Sequence, residues 1–183
     1  ESMRHKSLGW VRAAGIGAGI IVALGLAAPA AGQTLQVRLE FEGNFADSSG
    51  AGHDGSVVEG ALGGHSFVDG PVGLALDLNH DMATRTTDRT EGTHVEIPYR
   101  LTQEGTITLW YRVSPYYDYQ NLWNTTGNPD DFEMWVYFDG RLRARIDGNV
   151  GQVTQQLDGF NKWFHFAYTW KRGDQARLWV DGV

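Results

Sequence analysis

The chain has 183 residues, a formal net charge of −7 and no cysteine. This length fits one domain, and the lack of cysteine excludes a fold held by disulfides. The acidic balance argues against a nucleic-acid partner, because such proteins need a basic surface that neutralises phosphates. The 24 glycines and 12% aromatic residues are typical of short strands joined by tight turns.

The first 32 residues have the layout of a secretory signal peptide. Basic residues between Arg4 and Arg12 precede an uncharged apolar stretch, and the small residues of 28–32 follow it. The pattern predicts that the segment is cleaved and that the mature domain spans 33–183. The expected location of this domain is secreted, extracellular or at the cell surface, and export to the periplasm is an alternative. The alternative is a retained membrane anchor, because the uncharged stretch continues for several residues past the small ones. In both cases the segment is the only predicted contact with a membrane.

Alternating apolar and polar residues predict strands through the rest of the chain. The predicted strands are Val37–Glu42, Leu74–Leu78, His94–Ile97, Thr106–Val113, Glu133–Phe138, Arg141–Asp147, Trp163–Trp170 and Ala176–Val180. The run at 163–170 is apolar on both faces, which predicts a strand in the interior of a sheet. No amphipathic helix of useful length is predicted after the N-terminal segment. Together these features predict an all-β fold, an antiparallel β-sandwich.

The pair Asp139-Gly140 predicts a two-residue hairpin turn between the strands on either side. Such a turn would place Tyr137 opposite Leu142 and Trp135 opposite Ala144. Trp135 and Tyr137 would then lie on the same face as Leu142. The other face would carry the three arginines together with Met134, Val136 and Phe138.

Eight short motifs follow one another in a fixed order. They are Leu39–Gly43, Phe45–Gly55, Phe67–Leu76, His94–Pro98, Gly105–Arg112, Asp139–Leu142, Trp163–Trp170 and Leu178–Val183. This ordered set resembles the laminin-G-like, concanavalin A-like lectin/glucanase family over essentially all of 33–183. The resemblance implies a jelly roll whose closing strands follow Val183, so we expect the chain to be truncated at its C-terminus. It does not imply one function, because such domains occur in carbohydrate binders, adhesion proteins and accessory domains of polysaccharide-degrading enzymes.

Catalytic motifs are not found in the sequence. Glycosidases need two carboxylates that flank the scissile bond, and Glu40, Glu42 and Glu133 do not form the acidic cluster that would resemble a glucanase. The histidines have no metal-binding spacing, and there is no serine nucleophile motif or phosphate loop. We therefore expect that the domain is not an enzyme.

Asn44, Asp47 and Asp54 are the predicted metal ligands, and calcium is the predicted ion. They lie in a glycine-rich loop, and calcium prefers carboxylate and amide oxygens at loop positions. The resemblance also implies calcium near the Asp-Ser-Ser-Gly stretch that begins at Asp47. The alternative is that Asp47 and Ser48 form side-chain-to-backbone hydrogen bonds that shape the turn.

Two groups of residues are predicted to bind a ligand. The first group lies in a segment predicted to be a loop, 114–131, and consists of Tyr116, Tyr117, Tyr119, Trp123 and Asn124. Aromatic rings beside amides suit stacking on sugars, and they suit protein hot spots equally well; the alternative is that Trp123 and one tyrosine cover the edge of the core. The second group is Arg141, Arg143 and Arg145, whose guanidinium groups suit the carboxylates or sulfates of acidic sugars. The alternative for these arginines is a solvated strand face.

These observations predict an exported, non-catalytic binding module whose first-choice partner is a glycan. A protein-adhesion or structural module of a cell-surface protein, with an extracellular protein as partner, is the first alternative. The second is an accessory domain of a larger polysaccharide-degrading enzyme whose catalytic domain would lie beyond Val183.

Overall fold

A computed structural model gives the arrangement of the chain. It describes 34–60, 64–78, 93–113, 120–126, 132–137, 139–145, 153–171, 173–174 and 176–183, together with the backbone of two N-terminal strands. The strands are β1 (Trp10–Ala14), β2 (Ile20–Ile21), β3 (Ser56–Val58), β4 (Ser66–Asp69), β5 (Leu74–Asp77), β6 (His94–Ile97), β7 (Glu104–Arg112), β8 (Gln120–Thr126), β9 (Glu133–Val136), β10 (Arg141–Arg145), β11 (Val153–Gln156), β12 (Trp163–Lys171) and β13 (Arg177–Val180). Over these ranges there is no helix, and so none long and apolar enough to cross a bilayer.

The strands form two antiparallel sheets. Sheet A has seven strands in the order β11-β10-β9-β8-β1-β6-β3, and sheet B has six in the order β13-β12-β7-β2-β5-β4. Every strand pair in the two sheets is antiparallel. The predicted all-β, antiparallel sandwich is therefore confirmed.

The inner faces of the two sheets pack against each other and form the core. Phe132, which precedes β9 of sheet A, has its ring centroid 5.1 Å from that of Tyr168 and 5.8 Å from that of Trp170, both on β12 of sheet B. The Tyr111 hydroxyl of β7 donates a hydrogen bond of 3.3 Å to Gln120 Oε1 of β8. Burial of Tyr111 raises the pKa of its hydroxyl, so this hydrogen bond joins the sheets at a neutral phenol.

The longest pairing in the fold joins β7 and β12. Nine residue pairs run from Trp163 opposite Arg112 to Lys171 opposite Glu104. On β12 the side chains at 164, 166, 168 and 170 are buried while those between them are half-buried. Because β13 pairs with the other edge of β12, the prediction of an interior strand at 163–170 is confirmed.

Both strands of the N-terminal segment lie inside the sheets. β1 pairs with β6 on one side and with β8 on the other. β2 pairs with β5 on one side and with β7 on the other. The segment predicted to be a signal peptide thus supplies one interior strand to each sheet, and its removal by cleavage stays a prediction.

The strand predicted at 37–42 is not formed, and this prediction was wrong. Leu39 makes only an isolated bridge to Asp47, although Leu39 and Phe41 are buried as the alternation indicated. The Arg38 amide donates to Asp47 Oδ1 at 2.8 Å, and the Arg38 carbonyl accepts from the Ser48 amide at 2.9 Å. The backbone groups that a neighbouring strand would use are therefore bonded within the loop.

The segment predicted as one long loop, 114–131, contains a strand instead. β8 occupies 120–126 and pairs with both β9 and β1. The register shifts between Asn121 and Trp123, and such a bulge interrupts the period-two pattern by which a strand is recognised. The short strands β3, β4 and β11 were also not predicted, and 114–119 and 127–131 lie outside the described residues.

The N-terminal strands predict a strong effect of truncation. A chain of residues 33–183 lacks β1 and β2, so β6 and β8 lose the strand between them, and so do β5 and β7. Open strand edges associate with other chains, so we expect this piece to aggregate and to unfold with low cooperativity in urea. A monomeric 33–183 piece that unfolds as sharply as the full chain would contradict the pairing described here.

Gly105 on β7 predicts a packing defect on substitution. A Cβ atom at Gly105 would lie 2.7 Å from two ring atoms of Trp170, which is buried and whose indole NH donates to the Thr102 carbonyl at 3.0 Å. We expect Gly105→Ala to lower the free energy of unfolding by about 1–3 kcal/mol. Gly64→Ala is the matched control, because no atom lies within 4 Å of its Cβ position; equal urea midpoints for the two variants would count against this packing.

Candidate binding face

The hairpin between β9 and β10 has a different register from the predicted one. Leu142 lies opposite Val136 and Arg143 opposite Trp135, and the Tyr137 amide donates to the Arg141 carbonyl at 2.9 Å. Three residues therefore lie between the bonded pair Tyr137 and Arg141, with Gly140 last at φ 79°, as in a three-residue loop that ends in a left-handed residue. The predicted two-residue turn was wrong by one residue in register.

This register exchanges the faces of β9. Met134, Val136, Leu142 and Ala144 are all fully buried and form the core side. Because successive side chains of a strand point to opposite faces, Trp135 lies on the same side of the sheet as the arginines. Its ring is 6% exposed and lies beneath the guanidinium groups of Arg143 and Arg145. The predicted grouping of Trp135 and Tyr137 with Leu142 is therefore corrected.

We call the outer surface of β8 to β11 the arginine–aromatic face. Its central row crosses four strands, from Asn121 to Trp135 to Arg143 to Thr154. Neighbouring strands are about 4.8 Å apart, so the row is about 14 Å long. The rows on either side hold Tyr137, Arg141 and Gln156, and Asn124, Glu133 and Arg145. The face thus brings guanidinium, amide and hydroxyl groups together on one sheet surface.

Two of the three arginines on this face are paired with carboxylates. Arg145 Nη2 lies 2.6 Å from Glu133 Oε2, and its Nε donates to the same oxygen at 2.9 Å. Arg141 Nε donates to Asp139 Oδ2 at 2.7 Å. These contacts balance the positive charge of two arginines within the face.

Arg143 is bonded differently from its neighbours. Its guanidinium carbon lies 4.8 Å from the ring centroid of Tyr137 and 5.5 Å from that of Trp135. Its Nε is buried and has no hydrogen-bond partner, and the Nε1 of Trp135 is in the same state. Within the described ranges no carboxylate forms an ion pair with Arg143. Within the part of the chain that the structure describes, the central row therefore contains a charged group that contacts ring faces and no carboxylate.

The residues of the first predicted ligand-binding group, from segment 114–131, do not lie together on one surface. Asn124 lies on the arginine–aromatic face opposite Glu133. Trp123 is only 7% exposed and belongs to the core cluster, so its ring covers the core and offers no surface for stacking. Tyr116, Tyr117 and Tyr119 lie outside the described residues.

The predicted metal ligands lie in a separate part of the molecule. Their segment packs beside β6, since a Cβ atom at Gly55 would meet Val95, and β6 and β10 lie at opposite ends of sheet A. Asn44 Oδ1 accepts from the Ala46 amide at 2.9 Å, and Asp54 Oδ1 accepts from the Asp47 amide at 2.8 Å. These oxygens shape the turn, and calcium binding stays a prediction.

Asp47 is the hydrogen-bonding centre of that turn. Its Oδ1 accepts from the amides of Arg38 and Ser49, and its Oδ2 accepts from the His53 amide and the Ser49 hydroxyl, all within 2.8–2.9 Å. Burial acts to raise the pKa of Asp47, but the hydrogen bonds outweigh it and lower the pKa from 3.8 to about 2. Across the described ranges, no group of three or more histidine, aspartate and glutamate side chains is placed to hold a metal ion.

Comparison with known proteins identifies the fold family. A family model described as the concanavalin A-like lectin/glucanases superfamily matches residues 88–183. The chain belongs to this superfamily. Searches of curated proteins and of solved structures found no significant match.

Membership in the concanavalin A-like superfamily indicates a binding module and leaves the ligand open. The matched region contains the strands from β6 to β13, so the whole arginine–aromatic face lies within it. The turn centred on Asp47 precedes it. The family resemblance seen in the sequence is thus confirmed for the part of the chain that carries the face.

Sequence reasoning found the arginines and Asn124 but missed their neighbours. Trp135 and Tyr137 were assigned to the core face, and Asn121 and Thr154 were not assigned to the arginine group. The signal that could have found them is the burial pattern, because Met134 and Val136 match Leu142 in apolar character better than the aromatic residues do.

The shifted pKa of Asp47 predicts a pH-dependent contribution to stability. The folded value lies below the unfolded value, so the contribution is fully present above about pH 4 and is lost as the pH falls towards 2. We expect Asp47→Asn to lower the free energy of unfolding at pH 6 by about 1–3 kcal/mol and to reduce the further loss between pH 5 and about pH 2. Urea unfolding at several pH values measures both effects. Asp69→Asn on β4, an exposed carboxylate, is the control, and an Asp47→Asn chain with the wild-type pH profile would show that Asp47 is not the group responsible.

Proposed function

We propose that this protein is an exported, non-catalytic module that binds a glycan through the arginine–aromatic face. The observation that carries the proposal is the central row of this face, in which Asn121, Arg143 and Thr154 place hydrogen-bonding groups along one line. A glycan chain displays hydroxyl groups at repeated intervals, and these groups pair with amide, guanidinium and hydroxyl side chains. Export rests on the N-terminal signal segment predicted from the sequence. Because β1 and β2 of this segment lie inside the two sheets, the folded module that we propose keeps the segment, at a secreted or cell-surface location.

The surroundings of the acidic residues support a binding role over catalysis. Glu133 is bonded to Arg145, Glu40 lies 2.6 Å from Arg38 Nη2, and Glu42 Oε1 accepts from the Leu74 amide at 3.0 Å. A glycosidase needs one carboxyl group that donates a proton and a second that acts on the opposite side of the bond. Each of these three carboxylates instead forms an ion pair or a hydrogen bond with another residue of this protein.

Binding of a glycan is tested by Asn121→Ala and Thr154→Ala, which remove the two ends of the central row. A hydrogen bond of this kind contributes about 0.5–1.5 kcal/mol, so each variant should weaken binding by about two- to tenfold. The measurement is calorimetric titration with the best oligosaccharide from a glycan array. Thr106→Ala, an exposed threonine on β7 of sheet B, is the matched control and should bind as the wild type does.

Two outcomes would contradict the proposed function. The first is that no oligosaccharide on the array binds to folded protein. The second is that Thr106→Ala weakens binding as much as Asn121→Ala does, which would place the site on another surface.

Protein adhesion is a second candidate function, and the outer face of sheet B favours it. Trp110, His165 and Trp179 are half-buried there, and the rings of Trp110 and His165 lie 5.1 Å apart. Aromatic clusters of this kind are common at the centres of protein interfaces. Binding of an extracellular protein that is weakened by Trp179→Ala, and not by Asn121→Ala, would favour this candidate.

A further inference from the structure

We infer that the glycan bound by the arginine–aromatic face is acidic, and that Arg143 alone of the three arginines binds its carboxylate or sulfate group. This inference rests on the proposed function and adds the chemical class of the ligand. It also assigns different roles to three arginines that the sequence presents as equivalent.

The charges on the arginine–aromatic face are unevenly balanced. Arg141 is bonded to Asp139 and Arg145 to Glu133, both within ion-pair distance. Arg143 lies between them on the same side of β10, about 7 Å from each. Since two of the three positive charges are balanced locally, the net positive charge is centred on Arg143.

The Arg143 side chain contains a donor that is not satisfied by a hydrogen bond. Its Nε is buried without a hydrogen-bond partner, and an unsatisfied donor on a charged group is costly. The strands on either side supply Trp135 and Thr154 at this position, neither of which carries a negative charge. An anion bound at this point would complete the charge pairing that the described residues do not provide.

Two aromatic rings orient the Arg143 guanidinium group. The rings of Trp135 and Tyr137 lie within 5.5 Å of the Arg143 guanidinium carbon, and attraction between a cation and ring faces holds the group in place. A guanidinium that is already oriented loses little freedom when it binds, and its planar fork matches the oxygens of a carboxylate or sulfate. Asn121 and Thr154 lie in the same row and would bind hydroxyl groups of the same sugar chain.

The experiment uses two matched pairs of probes. Oligogalacturonate and its methyl ester differ in the charge of the carboxyl group and in one methyl group at each ester, and dextran sulfate and dextran differ only in sulfate. We expect the full chain to bind at least one acidic probe ten times more tightly or better than its neutral partner, as measured by calorimetric titration. The pair that shows the difference distinguishes a carboxylate ligand from a sulfate ligand.

The variants separate the three arginines. Arg143→Gln should abolish the preference for the acidic probe, and Arg143→Lys should keep only part of it because an ammonium group lacks the planar fork. Arg141→Gln should weaken binding by less than threefold and keep the preference. Arg177→Gln on β13 removes a charge from an exposed side chain of sheet B and should bind as the wild type does. Thermal melts confirm folding, and Arg143→Lys is the test if the glutamine variant does not fold.

The outcomes distinguish this inference from the proposed function. If the wild type binds acidic and neutral probes equally, or if Arg141→Gln abolishes the preference as fully as Arg143→Gln does, the inference is overturned while glycan binding stands. If no glycan binds, both are overturned. Binding of an acidic protein with no acidic glycan would show that Arg143 serves an interface between proteins.

Discussion

The length of the connection between β9 and β10 determines the chemistry of the outer surface of sheet A. Three residues separate Tyr137 from Arg141, and Gly140 closes the loop in a left-handed conformation that glycine adopts without strain. Because side chains alternate between faces, a connection shorter by one residue would turn Trp135 towards the core and Met134 towards the solvent. The contacts between the arginines and the two aromatic rings exist only in the observed register.

The elements that could be predicted from the sequence are those with a clear alternating pattern. β6 matches its predicted bounds, and β5, β7, β12 and β13 match theirs within two residues. β8 could not be recognised, because Leu122 and Trp123 are consecutive buried residues at a bulge. Gln120 of β8 is also buried, because Tyr111 of the opposite sheet supplies its hydrogen bond. Such a pairing across the sandwich leaves no local pattern in the sequence.

The residues of the candidate face could be predicted by type but not by arrangement. Guanidinium groups at alternate positions of a strand indicate a charged surface, and this holds for Arg141, Arg143 and Arg145. Which of them has a carboxylate partner depends on Asp139 in the loop and on Glu133 across the hairpin. Both pairings depend on the register of the hairpin. A predicted register that is wrong by one residue therefore does not show which arginine has a carboxylate partner. The predictions of ligand and metal sites thus depended on tertiary geometry more than the prediction of the fold did.

The interior positions of β1 and β2 have a consequence for the order in which the fold is completed. β1 is synthesised before the other strands of the two sheets, and its partner β8 is made about a hundred residues later. At about 5–20 residues per second, the apolar N-terminal segment waits roughly 5–20 seconds before that partner exists. Pairing between segments so far apart along the chain also slows folding, because the intervening loop must be closed before the contact forms. During this interval β1 lacks β6 and β8, and β2 lacks β5 and β7, so neither sheet can close around its N-terminal strand until synthesis has passed β8.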